Sequence, residues 1–208
     1  MKIKICGMKF PKNIHEIGAL QPDFMGFIFY PKSKRFVGEN FSLKSIEKLP
    51  KTIKKVGVFV NENVATIIAI QKQFSFDAIQ LHGNESVAEC IVLQENNIKI
   101  IKVFLLDNYF DFSEISAFEP VCDYFLFDTK SDKYGGSGKI FDWKILKKYT
   151  LQKPFFLSGG LGLHNIKKIS EIDHPQLVGL DFNSQLEDEN YKKITEEVSE
   201  LIQKIRIK

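Results

Sequence analysis

The sequence predicts an α/β fold in which eight parallel strands alternate with amphipathic segments and close into a (β/α)8 barrel. Three observations carry this expectation. Short runs rich in Ile, Val and Phe recur along the 208 residues, each followed by a longer stretch of helical spacing, the pattern of βαβ units around a parallel sheet. There are eight such runs, and eight strands close a small barrel. No Pro-, Ser- or Gly-rich tract divides the chain, so a single domain over 1–208 is expected, long enough for one buried core.

The first run, Lys2-Ile3-Lys4-Ile5-Cys6, alternates polar and apolar residues, as a strand does. Further strands are read at 24–29, 55–59, 78–81, 99–104, 124–128, 155–158 and 178–181. Helices are expected at 13–20, 42–49, 63–73, 86–96, 113–118, 143–149, 165–171 and 191–205. Within 42–49, Leu43, Ile46 and Leu49 fall on one helical face and Ser42 stands where an N-cap belongs. The glycines cluster after strands, and in parallel βα architectures the chemistry gathers at the carboxyl ends of strands.

Charge and cysteine content narrow the function classes. Lys+Arg 29 against Asp+Glu 26 leaves +3, spread through the chain, which is no nucleic-acid footprint but suits an anionic small molecule. No apolar stretch approaches the roughly 20 residues of a membrane span, since 98–106 is interrupted by Lys99 and Lys102. The N-terminus lacks the apolar core of a secretory signal, and the three widely spaced cysteines fit reduced thiols in a cytoplasmic protein better than disulfides or zinc.

Several polar residues stand where strands end: Cys6, His82, Asp128 and Asp181, with Arg35 further into its loop. Asp also favours such places as a turn former. A thiol at Cys6 can act as nucleophile or general base, or simply fill space as a small hydrophobe; Cys90, in a helical run, and Cys122, before a strand, take the second reading. Asp128 closes the apolar run Tyr124-Phe125-Leu126-Phe127, where partial desolvation favours a proton-donor role; an N-cap is the other reading. The glycine-rich segment after Asp128, with Gly135, Gly136 and Gly138, reads as a lid or an ordinary loop. Gly159-Gly160 after the seventh strand and Asn183-Ser184 after the eighth lie where such barrels hold phosphate on backbone N–H groups. Arg35 can grip a carboxylate or belong to a solvated basic turn. His82 has no spaced His or Cys partner, and no metal site is inferred.

The blocks Lys4-Ile5-Cys6-Gly7, Gly26 to Arg35, Val56 to Glu62, Gln80-Leu81-His82-Gly83, Phe127-Asp128-Thr129, Gly135 to Lys139 with Phe141-Asp142-Trp143, and Ser158-Gly159-Gly160-Leu161 resemble phosphoribosylanthranilate isomerases in order and spacing. The resemblance implies a TIM barrel that carries out an Amadori rearrangement of a small-molecule phosphosugar in tryptophan biosynthesis, as a monomer or homodimer, without metal or cofactor. It implies that Asp128 is the general acid and Cys6 the general base, with environments that push their pKa values apart. By the same resemblance Arg35 contacts the anthranilate carboxylate, the Gly159–Gly160 and Asn183–Ser184 loops hold phosphate, and His82, Gly136 and Asp181 complete the binding site. Two departures stand out. Met8-Lys9-Phe10-Pro11 replaces a Thr-based turn, and Gln185 stands where the family commonly has glycine; Gln185 is therefore expected at ordinary negative φ.

Other readings are a different phosphosugar barrel or a phosphate-binding barrel without catalysis. A related epimerase wants His and Asp metal ligands at strand ends, and an indole-glycerol-phosphate synthase wants lysine and glutamate there. Neither set is read in the sequence, and retention of both Cys6 and Asp128 speaks against loss of chemistry.

Overall fold

Every strand expected from the periodicity forms in the computed structural model, which describes residues 1–130 and 142–206. The strands are β1 (Lys2–Ile5), β2 (Phe24–Ile28), β3 (Lys54–Phe59), β4 (Ala78–Leu81), β5 (Ile100–Leu106), β6 (Tyr124–Thr129), β7 (Phe155–Leu157) and β8 (Leu177–Phe182). They pair in chain order, all parallel, and β8 returns to β1 to close the barrel. Alternation along each strand splits the apolar residues into two layers. Phe24, Ile28, Val56, Val58, Ala78, Ile101, Val103, Leu126 and Phe156 pack with Cys6 as one cluster inside the barrel. Ile3, Ile5, Phe125, Phe127, Phe155 and Leu157 join the larger layer outside it.

The crossovers are less regular than expected. Helices α1 (Pro11–Ala19), α2 (Val64–Phe74), α3 (Val87–Glu95), α4 (Ile166–Ile169) and α5 (Thr195–Arg206) form. Pro11 starts α1, where its missing N–H costs nothing. Asn63 caps α2, and Ser86 with Glu89 makes a reciprocal capping box on α3. The expected helix at 42–49 shrinks to the 3-10 turn Leu43–Ser45, and the Ser42 side chain caps nothing. Ile46 and Leu49 are buried but Leu43 is exposed, because a short segment stopped by Pro50 cannot sustain the helical face. The segments 113–118 and 143–149 likewise become 3-10 turns, Phe112–Phe118 and Trp143–Lys148, started by Asp111 and Asp142 side chains. Before α4 the chain makes the 3-10 turn Leu163–Asn165.

Aromatic side chains cover the barrel where helices are short. Phe41, after β2, packs on Phe27, Phe29 and Phe74. Phe112 and Tyr149, from the crossovers flanking β6, both meet Phe127 edge-on at 5.4 and 5.2 Å, the geometry aromatic quadrupoles prefer.

The expected helix at 191–205 starts only at Thr195. Residues 187–193 form a hairpin instead, with Glu187 bridged to Lys193, because the Asp188 carboxylate captures the N–H groups of Asn190 and Lys192. Asn13 of α1 anchors this hairpin. Its amide donates to the Lys193 carbonyl and its Oδ1 accepts the Lys193 N–H, both at 2.9 Å. Asn13 is buried, so Asn13→Ala leaves two backbone groups unsatisfied, a loss of about 2–3 kcal/mol. Thermal denaturation should show Tm lowered by roughly 5–10 °C; an unchanged Tm would mean that water replaces both bonds.

Candidate active site

The site is built upward from the floor of the barrel. Alternation in β1 turns Lys4 and Cys6 inward while Ile3 and Ile5 face the outer layer. Lys4 is wholly buried, and its Nζ donates to Asp181 Oδ1 at 2.8 Å, the residue opposite it across the β1–β8 seam. Ser158 Oγ donates to Asp181 Oδ2 at 3.3 Å. Burial opposes charge on Lys4, but the Asp181 carboxylate and the Cys6 sulfur outweigh it, so its pKa is raised.

Cys6 sits above this pair, 3% exposed. Burial pushes its thiol above the usual range, with Lys4 pulling the other way. In a dry barrel, desolvation of a thiolate exceeds what one ammonium returns. Asp181 is within electrostatic reach of both Cys6 and Asp128, so thiol and carboxylate share one mouth. Asp128 Oδ1 accepts the Thr129 N–H at 2.8 Å, and Oδ2 lies 3.4 Å from His82 Nε2. Gln80 Nε2 stands 3.2 Å from His82 Nδ1. Beside His82 opens a cavity of about 280 Å³ lined also by Glu85, Lys102, Phe104 and Phe118.

The loops after β7 and β8 complete the mouth. Gly159 and Gly160 adopt φ +90° and +67°, and a Cβ at Gly159 would stand 2.2 Å from Thr129 Oγ1, so only glycine fits. Asn165 holds the turn by donating to Gly160 O and accepting from Gly162 N. Among the described residues, no group accepts from the N–H of Gly159, Gly160 or Ser184. Two successive residues at positive φ followed by a short 3-10 turn make a concave set of donors suited to an anion. Gln185 lies in the 3-10 turn Ser184–Leu186 and is absent from the residues at positive φ, as expected.

Arg35 is not a solvated turn residue. Its Nε donates to both oxygens of Glu187, at 2.9 and 3.0 Å, and its Nη2 also pairs with Glu187. Gly7, at φ +77°, makes this possible: a Cβ there would stand 2.8 Å from Arg35 Cδ and 2.6 Å from Asn183 Oδ1. Although burial opposes its charge, Arg35 and Lys193 hold the Glu187 carboxyl below the usual range. Lys193 Nζ donates to Glu187 Oε2 at 2.7 Å and to Asn183 Oδ1 and O at 2.8 and 3.0 Å.

The structure thus brings Cys6, His82, Asp128, Asp181, Gly159, Gly160, Asn183, Ser184 and Arg35 around one barrel mouth; Gly136 lies outside the described residues. Among the described residues, sequence reading missed three buried lysines, Lys4, Lys102 and Lys193. Lys4 was legible from sharing a strand face with Cys6. Lys193 was hidden inside an expected helix, and Lys102, paired with Glu85 at 3.0 Å, gave no signal beyond interrupting an apolar run.

Comparison with known proteins points one way. Residues 3–204 match the family model described as N-(5'-phosphoribosyl)anthranilate isomerase. A protein of that name from Parabacteroides distasonis is 43% identical, over 99% of this chain and 93% of its own length. The crystal structure of phosphoribosyl anthranilate isomerase from Thermotoga maritima superposes with TM-score 0.89 at 31% identity, covering 100% of both chains. A further structure of such an isomerase, in complex with reduced 1-(o-carboxyphenylamino)-1-deoxyribulose 5-phosphate, gives TM-score 0.86 at 27% identity, also covering 100% of both chains.

The Lys4–Asp181 pair generates a stability prediction. Lys4→Met strands a buried carboxylate and should cost about 3–5 kcal/mol, whereas replacing both partners with apolar residues is often neutral. Urea unfolding of Lys4→Met and of Lys4→Met/Asp181→Leu should therefore show the double variant more stable than the single one. The reverse order would remove the pair from its structural role.

Proposed function

Because the chain belongs to the N-(5'-phosphoribosyl)anthranilate isomerase family, we propose that Cys6 and Asp128 move the protons as it converts N-(5'-phosphoribosyl)anthranilate to 1-(2-carboxyphenylamino)-1-deoxyribulose 5-phosphate. The reaction is the Amadori rearrangement of tryptophan biosynthesis. The observation that supports these roles most is the placing of a thiol and a carboxylate on one mouth beside backbone N–H groups that have no acceptor among the described residues.

In this reading the substrate phosphate rests on the N–H groups of Gly159, Gly160 and Ser184, with Asn183 shaping the loop. Asp128 protonates the furanose ring oxygen, the C1–O bond breaks, and the nitrogen lone pair forms the iminium. His82, 3.4 Å away, then faces the carboxylate that Asp128 has become. Cys6 removes the proton from sugar C2, and the electron pair moves through C1 to quench the iminium as an enolamine, which tautomerises to the ketone. Asp181 keeps Lys4 beneath the thiol and borders the sugar.

The raised thiol pKa gives the order of events a physical sense. Lys4 alone does not bring Cys6 to the thiolate, but the iminium formed in the first step adds a second cation at the mouth, acting in the same direction. The base therefore becomes competent once the C2 proton has become acidic. Arg35 is read as the carboxylate ligand through its Nη1 edge, which makes no hydrogen bond among the described residues, while Glu187 occupies the other.

Loss of fluorescence from freshly made phosphoribosylanthranilate, followed with a chelator present, tests the activity and its independence of metal together; no turnover would leave only a binding barrel. Cys6→Ser and Asp128→Asn should each lower kcat by about 10²–10⁴-fold with unaltered circular dichroism. Near-normal kcat in either variant would remove the assigned role.

The pH dependence follows from the direction of the Cys6 shift. A base with a raised pKa is populated only as pH climbs, so kcat/KM should rise with pH to beyond about 8.5, the ordinary thiol value. Because kcat reports the substrate complex and kcat/KM the free enzyme, the limb in kcat should lie at lower pH. Profiles that coincide, or that are flat from roughly pH 6 to 9, would contradict tuning by the bound cation.

A further inference from the structure

The hairpin after β8 contains a residue that its backbone position does not favour. Tyr191 N–H donates to the Asp188 carbonyl at 3.0 Å, Asp188 N–H donates to the Lys192 carbonyl at 2.9 Å, and Tyr191 has φ +65°. This is a type I turn over 188–191 followed by a left-handed bulge residue, a place that hairpins give to glycine because any Cβ is strained there. A bulky residue kept in such a conformation calls for a compensating role of its side chain.

The surroundings of the ring identify that role. Arg35 Cζ lies 5.4 Å from the ring centroid, Lys34 Nζ 5.5 Å and Lys9 Nζ 5.8 Å, so residues from the β1 and β2 loops converge on an aromatic surface supplied by the β8 loop. Lys9 Nζ also donates to the Lys34 carbonyl at 3.1 Å. Glu187 fixes one edge of the Arg35 guanidinium and Tyr191 lies against it, which leaves the Nη1 edge oriented and without a described partner. Three cations gathered on one ring favour an anion at that edge.

We propose that Tyr191 is a positioning residue for the aromatic-acid end of the substrate: its ring holds Arg35, backed by Lys9 and Lys34, so that the Nη1 edge of the guanidinium receives the substrate carboxylate. The inference deepens the reading of Arg35 given above and rests on it.

Tyr191→Gly tests it without threatening the fold, since glycine suits φ +65° and should keep or raise Tm. The expected result is a KM for phosphoribosylanthranilate raised roughly five- to tenfold, kcat within about twofold and inhibition by inorganic phosphate unaltered. Tyr191→Phe, which retains the ring, should restore KM. Arg35→Met in the same assays should raise KM more strongly and spare phosphate inhibition. If Arg35→Met raises KM while Tyr191→Gly does not, the positioning role is overturned. Arg35→Met weakening phosphate inhibition equally, or leaving KM unchanged, would overturn the carboxylate reading, and the Tyr191 role with it.

Discussion

A lysine ammonium sealed inside an apolar barrel must have an anion beside it, and this requirement organises the molecule. Lys4 meets Asp181 across the seam where β1 and β8 close the barrel. A slip of one residue in that register would turn Lys4 outward and put Ile3 or Ile5 inside, breaking both the ion pair and the apolar layers. The register that satisfies the lysine also sets Cys6 at the top of the same face and delivers Asn183, Ser184 and Glu187 to the mouth immediately after β8. Closure of the fold and assembly of the site are thus one electrostatic constraint.

Glu187 organises a second tier. Its carboxylate joins Arg35, from the loop after β2, to Lys193, and Lys193 in turn holds Asn183 while its backbone is clamped by Asn13 of α1. Glu85 plays a parallel part on the other side, accepting from the backbone of Asn61 and Gly83 as well as from Lys102. Such networks hold loops without helical support, so donors aimed at a substrate need little rearrangement when it arrives. The cost lies in desolvating several ions, which a site made only for stability would avoid.

How much of this was legible depends on the range of the interaction. Strands buried on both faces announce themselves as apolar runs, and their ends located Cys6, His82, Asp128 and Asp181 to within a residue. Crossovers were less legible, because 42–49 spaces its apolar residues as a helix does yet is stopped by Pro50 too soon to sustain one, and Phe41 beside it packs on Phe27, Phe29 and Phe74, contacts distant in sequence. The hairpin at 187–193 hid within an apparent helix, since the Asp188 turn competes with helical bonding on nearly equal terms.

By itself the sequence determined the fold class, the eight strands, the residues at their carboxyl ends and, through ordered short blocks, the family. These are local matters of alternation, turn chemistry and motif spacing. Only the tertiary structure decided that Arg35 is held by Glu187, that Lys4, Lys102 and Lys193 are buried, that Tyr191 faces a cluster of cations and that burial pushes the Cys6 thiol up. Burial and through-space charge set these properties, and neither is a function of neighbours along the chain. They come into being when the barrel closes and water leaves the space between residues as far apart as Lys4 and Asp181.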